Sequence, residues 1–336
     1  HTGCVTADYG AAVMETAGKD RLATIDDSTI PTLERRRRVN PNRIDLALLN
    51  GAVDIHIHHA PDLYARIQDP IELAEDAKAA GMRAICIKRH NFPTAGIAAL
   101  TRKVVPDFDV FGSLACNHQV GGVNPLAVEA AIKYGIRQLW MPTIDSANHA
   151  RVTGSVGQHG RGLTIRGGIS EYALKQPPIE LLAANGKIGP ELEEVIRLVA
   201  DADIIFNLGH TSFREMTTVV KEAKAKGVRR IICDHPFFLK LTVEQMIEIA
   251  DLGVIINFTA GEILPRWWRA SISEFSNAIR RVGVARSVVS SDCGQLHNPP
   301  MVEALRMTCQ LLLEDDFTTD EVRSLIQTTP AALLYP

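Results

Sequence analysis

Two histidines one residue apart, His56 and His58, close the apolar run Val53-Asp54-Ile55-His56-Ile57-His58. Side chains alternate along a strand, so an H-x-H pair projects both imidazoles to one side of its end. Two convergent imidazoles are half of a divalent-metal site. Later apolar runs end in the same manner: His210 follows Ile204-Ile205-Phe206-Asn207-Leu208-Gly209, His235 follows Ile231-Ile232-Cys233-Asp234, and Asp292 follows Val288-Val289-Ser290-Ser291. Lys88 closes the run Arg83-Ala84-Ile85-Cys86-Ile87-Lys88. Neutral imidazoles donate nitrogen to a borderline ion such as zinc, and a carboxylate balances charge while remaining able to take up a proton. Water on such an ion can reach a pKa near 7, about nine units below bulk water. A chain that keeps ending strands on ligand residues is most simply a metalloenzyme.

The elements that must position these residues alternate regularly. Short β-branched runs predict strands over 52–57, 83–88, 108–115, 136–142, 203–208, 229–234, 253–258 and 286–291. Amphipathic stretches between them predict helices over 69–80, 93–104, 124–134, 189–201, 212–226, 242–251, 270–282 and 299–314. Gly81, Gly135, Gly227 and Gly253 stand where a helix must stop before a strand, and Thr242 with Gln245 marks a helix start. Strands apolar throughout imply burial on both faces, as in a parallel sheet. Eight such repeats favour a closed α/β (β/α)8 TIM barrel, in which all strand C-termini meet at one mouth. No G-x-G-x-x-G follows the first strand, which weakens a dinucleotide-binding alternative. Residues 1–45 are expected to pack outside the barrel, partly disordered. Residues 143–188 form a Gly-rich insertion after the fourth strand, where a lid or substrate loop belongs, and a shorter excursion, 261–269, follows the seventh.

Composition narrows the partners. Apolar residues make up 46% of the 336, enough for one large core, and the net charge of -3 argues against a polyanion binder, hence against nucleic acid. The run Arg35-Arg36-Arg37-Arg38 is short and isolated, more fitting for a solvated face. Six cysteines without a C-x-x-C pair suit a reducing cytosol. Neither a membrane span nor a signal peptide is visible, and His1 in place of Met suggests a trimmed start. The expectation is a soluble cytoplasmic protein with a small-molecule substrate.

The order H-x-H on strand one, His on strands five and six, and Asp on strand eight resembles the amidohydrolase superfamily of metal-dependent hydrolases. Gly209-His210-Thr211-Ser212 is similar to the family's turn after strand five, and Thr329-Pro330-Ala331-Ala332-Leu333-Leu334 to its closing helix. The likeness covers roughly residues 46–336. It implies that His56, His58 and Asp292 bind a buried metal, Zn2+ or Mn2+. It implies further that His210 and His235 bind a second ion, or, with one metal, that one of them binds it and the other contacts substrate. Asp292 would be the general base for a metal-activated hydroxide attacking an amide or lactam, with Lys88 or His235 helping to hold the oxyanion. A lactonase or esterase, or an aromatic-acid decarboxylase, is the alternative, and members are often homo-oligomers. The sequence departs from the family at strand four, where Leu139-Trp140-Met141-Pro142-Thr143 offers no lysine to carboxylate. Lys88 either takes that bridging role from strand two or stays an ammonium that binds a substrate carboxylate.

Secondary roles follow from position. Asp54 is expected to hold neighbouring backbone or a ligand imidazole. His59 and His90 are read as surface or supporting residues, and Asn117 and His118 as able to reach substrate. Trp267 and Trp268 are read as packing residues, or as lining a pocket wall or an oligomer contact. Arg66, Arg151, His159, Arg161 and Arg166 are solvated loop residues or anion contacts.

Overall fold

Eight strands pair in parallel in the order of the sequence, β1 to β8: Val53–His58, Ala84–Lys88, Asp109–Ala115, Ile136–Trp140, Ile205–Asn207, Ile231–Asp234, Ile255–Thr259 and Ser287–Ser290. The computed structural model describes residues 43–154, 156–157 and 171–335. Most of the expected N-terminal extension therefore lies outside the described residues, as do His159, Arg161 and Arg166.

The eight expected barrel helices are present as α1 (Pro70–Ala79), α2 (Ala95–Val104), α3 (Pro125–Lys133), α4 (Pro190–Ala202), α5 (Phe213–Ala225), α6 (Val243–Asp251), α7 (Ile272–Val282) and α8 (Met301–Glu314). Their starts are written in the sequence. Asp69, Ser212, Thr242 and Ser271 each accept the N3 backbone N–H while Glu72, Glu215, Gln245 and Glu274 reach back. Gly81, Gly135, Gly227 and Gly253 all take positive φ at the helix-to-strand junctions, as their positions predicted. Strand β5 is shorter than expected because Asp203 caps α4 in a left-handed conformation (φ 48°).

The barrel closes where the site lies. Asp292 N–H donates to His56 O and His58 N–H to Cys293 O, each at 2.9 Å. The carboxylate of Asp54 accepts from His56 N–H at 2.9 Å and from Ser291 N–H at 3.1 Å, lacing β1 to the end of β8. Strict alternation does not run through β1. Its pairing with β2 passes from Asp54↔Ile85 to Ile57↔Ile87, so β1 carries one extra residue, a bulge at Ile55–His56. Below it Val53 and Ile55 pack with Ala84, Cys86, Ile205, Ile232 and Val288, plugged by Leu333 and Leu334, while Ile57 packs in the cluster that includes the surrounding helices. The bulge turns His56 and His58 inward above that apolar plug. Among the described residues no helix is long and apolar enough to cross a membrane.

Candidate metal centre

The floor of the mouth is built around Asp292. His56 Nε2 and His58 Nε2 lie 3.2 and 3.3 Å from its Oδ1. Lys88 Nζ stands 3.1 Å from His56 Nε2 and 3.6 Å from the centre of the Trp140 ring. An ammonium only donates, so the His56 nitrogen it faces presents a bare lone pair and the ring proton sits on Nδ1. That Nδ1 lies 3.2 Å from Asp234 Oδ2, at ion-pair distance though not aligned as a hydrogen bond. Asp234 is fixed in turn by Asn207 Nδ2 at 2.9 Å and by Asn257 Nδ2.

The other imidazoles arrive from β5 and β6. Gly209 adopts φ 62° against β4, where a Cβ would collide with the carbonyl oxygens of Met141 and Pro142, and this close approach delivers His210. His210 Nδ1 meets His149 Nδ1 at 2.8 Å, the rings stacked with centroids 4.9 Å apart. A nitrogen–nitrogen contact that short holds one proton, one ring donating and the other accepting. His235 lies beyond, its ring 4.7 Å from that of His210, and its Nδ1 is buried with no hydrogen-bond partner. Both His235 and Asp292 leave their strands with positive φ, 34° and 48°, the kind of backbone that concentrates at functional sites.

Burial sets the charges. It holds His56, His58 and His210 well below the usual imidazole range and His235 at about 3, so these rings are neutral donors. It pushes Asp292 up to about 7, against the pull of Lys88, and draws Lys88 down to about 8, against Asp292 and Asp234. Ligand atoms of His56, His235 and Asp292 lie within 4.8 Å of one another, the spacing of a shared cation. The orphaned nitrogen of His235 and the bare lone pair of His56 fit that reading.

All six residues singled out by sequence therefore meet at one mouth, which is partly open to solvent. His58, Lys88, His210, His235 and Asp292 line it, with His56 buried beneath. His90 also lines it, bonded to Thr143 Oγ1 at 2.9 Å. The structure corrects the reading of Asn117 and His118 as substrate contacts. Asn117 Nδ2 is spent on His90 O and Thr143 Oγ1, His118 on Asp145 and Pro177, and neither lines the mouth. Arg66 is buried against Asp62 and His58 Nδ1 (3.3 Å), Arg151 pairs loosely with Glu180 on the surface, Trp267 lines the mouth, and Trp268 is exposed. Sequence reasoning missed Asp234 and His149, along with Phe238, Glu262, Arg269 and Gln295 on the rim. Only Asp234 left a signal, a carboxylate inside an apolar strand.

Comparison with known proteins agrees with the architecture. No curated protein matches the sequence. Among solved structures, the chain is similar to an amidohydrolase from Pseudomonas aeruginosa (TM-score 0.54, 13% identity, 86% of this chain and 98% of that one). It is similar also to the probable dipeptidase PvdM from Pseudomonas aeruginosa (0.57, 11%, 88% and 98%). A third is the putative 2-pyrone-4,6-dicarboxylic acid hydrolase from Pseudomonas putida (0.52, 12%, 85% and 97%). At such identities the shared property is the fold, a parallel eight-stranded barrel with helices between the strands. A family profile matches residues 51–257, a span that holds His56, His58, Lys88, His210 and His235, and by it the chain belongs to the family of unknown function DUF6282.

Proposed function

We propose that this protein is a metal-dependent hydrolase that cleaves an amide or lactam C–N bond of a small molecule. The observation that carries this reading is the convergence of His56 Nε2 and His58 Nε2 on one oxygen of Asp292. His56, His58 and Asp292 would hold one divalent ion; His210 and His235 would hold a second, or His235 would join the first ion, as its spacing to His56 and Asp292 allows, while His210 contacts substrate. Zinc or manganese bound there would supply a Lewis acid and lower the pKa of water toward neutrality. Asp292, at the centre of that set, would take a proton from the attacking water and return it to the leaving nitrogen. That return favours C–N over ester cleavage, because an amine leaves as a base that must be protonated.

Lys88 is read as an ammonium rather than a carboxylated bridge. Its nitrogen lies over the electron-rich face of Trp140, which attracts a cation and repels a carbamate. From there it would hold the oxyanion that develops on the substrate. Elemental analysis of purified wild type and Lys88→Met, with turnover measured on a panel of amides, lactams and lactones, tests the reading. One or two ions per chain, retained in Lys88→Met, with amide or lactam turnover abolished by chelation, is the expected result. Absence of metal even after reconstitution overturns it, and loss of one of two ions in Lys88→Met restores the bridging role.

A further inference from the structure

The rim of the mouth differs chemically from its floor. Phe238 from the segment after β6, Glu262, Trp267 and Arg269 from the excursion after β7, and Gln295 after β8 form it. Most of its polar groups are spent inside the protein. Glu262 accepts from Phe238 N–H at 2.9 Å and Thr259 N–H at 3.2 Å. Gln295 donates to Asp292 O and accepts from Asn298. Arg269 is different. Its backbone is pinned to Glu262 O at 2.7 Å and its guanidinium lies 5.5 Å from the Phe238 ring centre. Among the described residues that guanidinium has no carboxylate or carbonyl partner.

Trp267 also lines the mouth. A Cβ added at Gly261 would come within 3.1 Å of the Trp267 ring and 3.5 Å of Asp292 Oδ2, so the missing side chain is what lets the indole stand beside that carboxylate. Two aromatic side chains at the rim and a fork of five donors without an acceptor fit a planar ring bearing a carboxylate.

We propose that Arg269 binds a carboxylate on the substrate, remote from the bond cleaved, while Trp267 and Phe238 hold its ring. This substrate class rests on the hydrolase reading, but its test does not require turnover. Benzoate and the nearly isosteric, neutral benzamide are titrated by calorimetry or saturation-transfer NMR into the full-length, metal-reconstituted protein, with metal content assayed in the same samples. Wild type should bind benzoate at least about tenfold more tightly than benzamide, as a charge-assisted bidentate contact gives. In Arg269→Gln the ratio should fall toward one with metal content unchanged, and Trp267→Leu should weaken both probes while keeping the ratio. Binding of neither probe, equal binding of both by wild type, or a ratio that survives Arg269→Gln overturns the proposal, the last because the floor and not Arg269 would then read the charge. Protein without metal that still shows the Arg269-dependent ratio sinks the hydrolase reading and leaves this one standing.

Discussion

The two ends of this barrel treat charge in opposite ways. At the mouth, burial pushes acids up and bases down: Asp54 to about 6, Asp292 to about 7 and Glu262 to about 8, with Lys88 drawn to about 8 and His235 to about 3. At the base, partners outweigh burial. Asp203 is held at about 2 by hydrogen bonds from Arg230 and Arg229, and burial of Asp45 is overcome by Arg306 and Arg43. Tyr335 bonds Asp109 and stacks on Arg83, 4.0 Å from its ring centre. Each arrangement has its consequence. Ionic groups at the base contribute to stability, whereas those at the mouth cost stability until a cation or substrate supplies what they lack. Barrels commonly divide their two faces this way, and here the division is visible in individual protonation states.

Asp292→Asn breaks the comparison most sharply if the comparison is wrong. The change removes the proton-accepting carboxylate and should lower turnover by about a thousandfold or more. Asn tolerates the left-handed backbone (φ 48°) and matches the carboxylate in size, so the fold should persist. The stability effect has the opposite sign to the usual one. A folded pKa raised from 3.8 to about 7 means stability fully present below pH 3.8 and lost as pH rises through 7. Metal-free Asp292→Asn should therefore melt no lower than wild type at pH 7 to 8 by calorimetry, and a clear loss there would show that Asp292 is a structural group.

His149→Phe sharpens the account of the mouth. Phe keeps the stack on His210 and removes the nitrogen that fixes its proton. Loss of such a supporting partner weakens metal binding by roughly 10–100-fold. Competitive chelation should register that loss, with turnover at saturating metal reduced far less than in Asp292→Asn. Unchanged metal affinity would mean that the contact serves packing alone.

How far the sequence carried this description depends on where a residue sits. Every strand and barrel helix was legible, because buried parallel strands are apolar on both faces and the helix starts carry capping pairs such as Ser212–Glu215. His56, His58, His210, His235 and Asp292 were legible because strand ends are the one place in a barrel where position in sequence dictates position in space. The bulge at Ile55–His56 was not, since an extra residue in one strand appears only against its partner's register. His149 sits on a short helix, Ala147–Thr153, within the insertion after β4, and Arg269 in the irregular segment after β7; neither place is fixed by the strand–helix alternation. Asn117 and His118 misled for a related reason: they follow a strand end, but Thr143 and Asp145 turn them away.

The smallest effect is expected at the base. Asp203 accepts from Arg229 Nε at 3.0 Å and from Arg230 Nη2 at 3.0 Å, while Arg230 also reaches the carbonyls of Leu333 and Tyr335, each at 3.2 Å. Asp203→Asn keeps the left-handed cap of α4 and removes only the charge. The cluster is partly solvated, Arg229 being 71% exposed, so the loss should be about 1 kcal/mol or less at pH 7. A folded pKa depressed from 3.8 to about 2 contributes stability that is present above pH 3.8 and disappears as pH falls through 2. Denaturant titrations of wild type and Asp203→Asn should therefore differ at neutral pH and converge below pH 2, with turnover equal throughout the neutral range. A change in turnover would mean that strain at the base is transmitted along β5 to His210, and the separation of the two ends would fail.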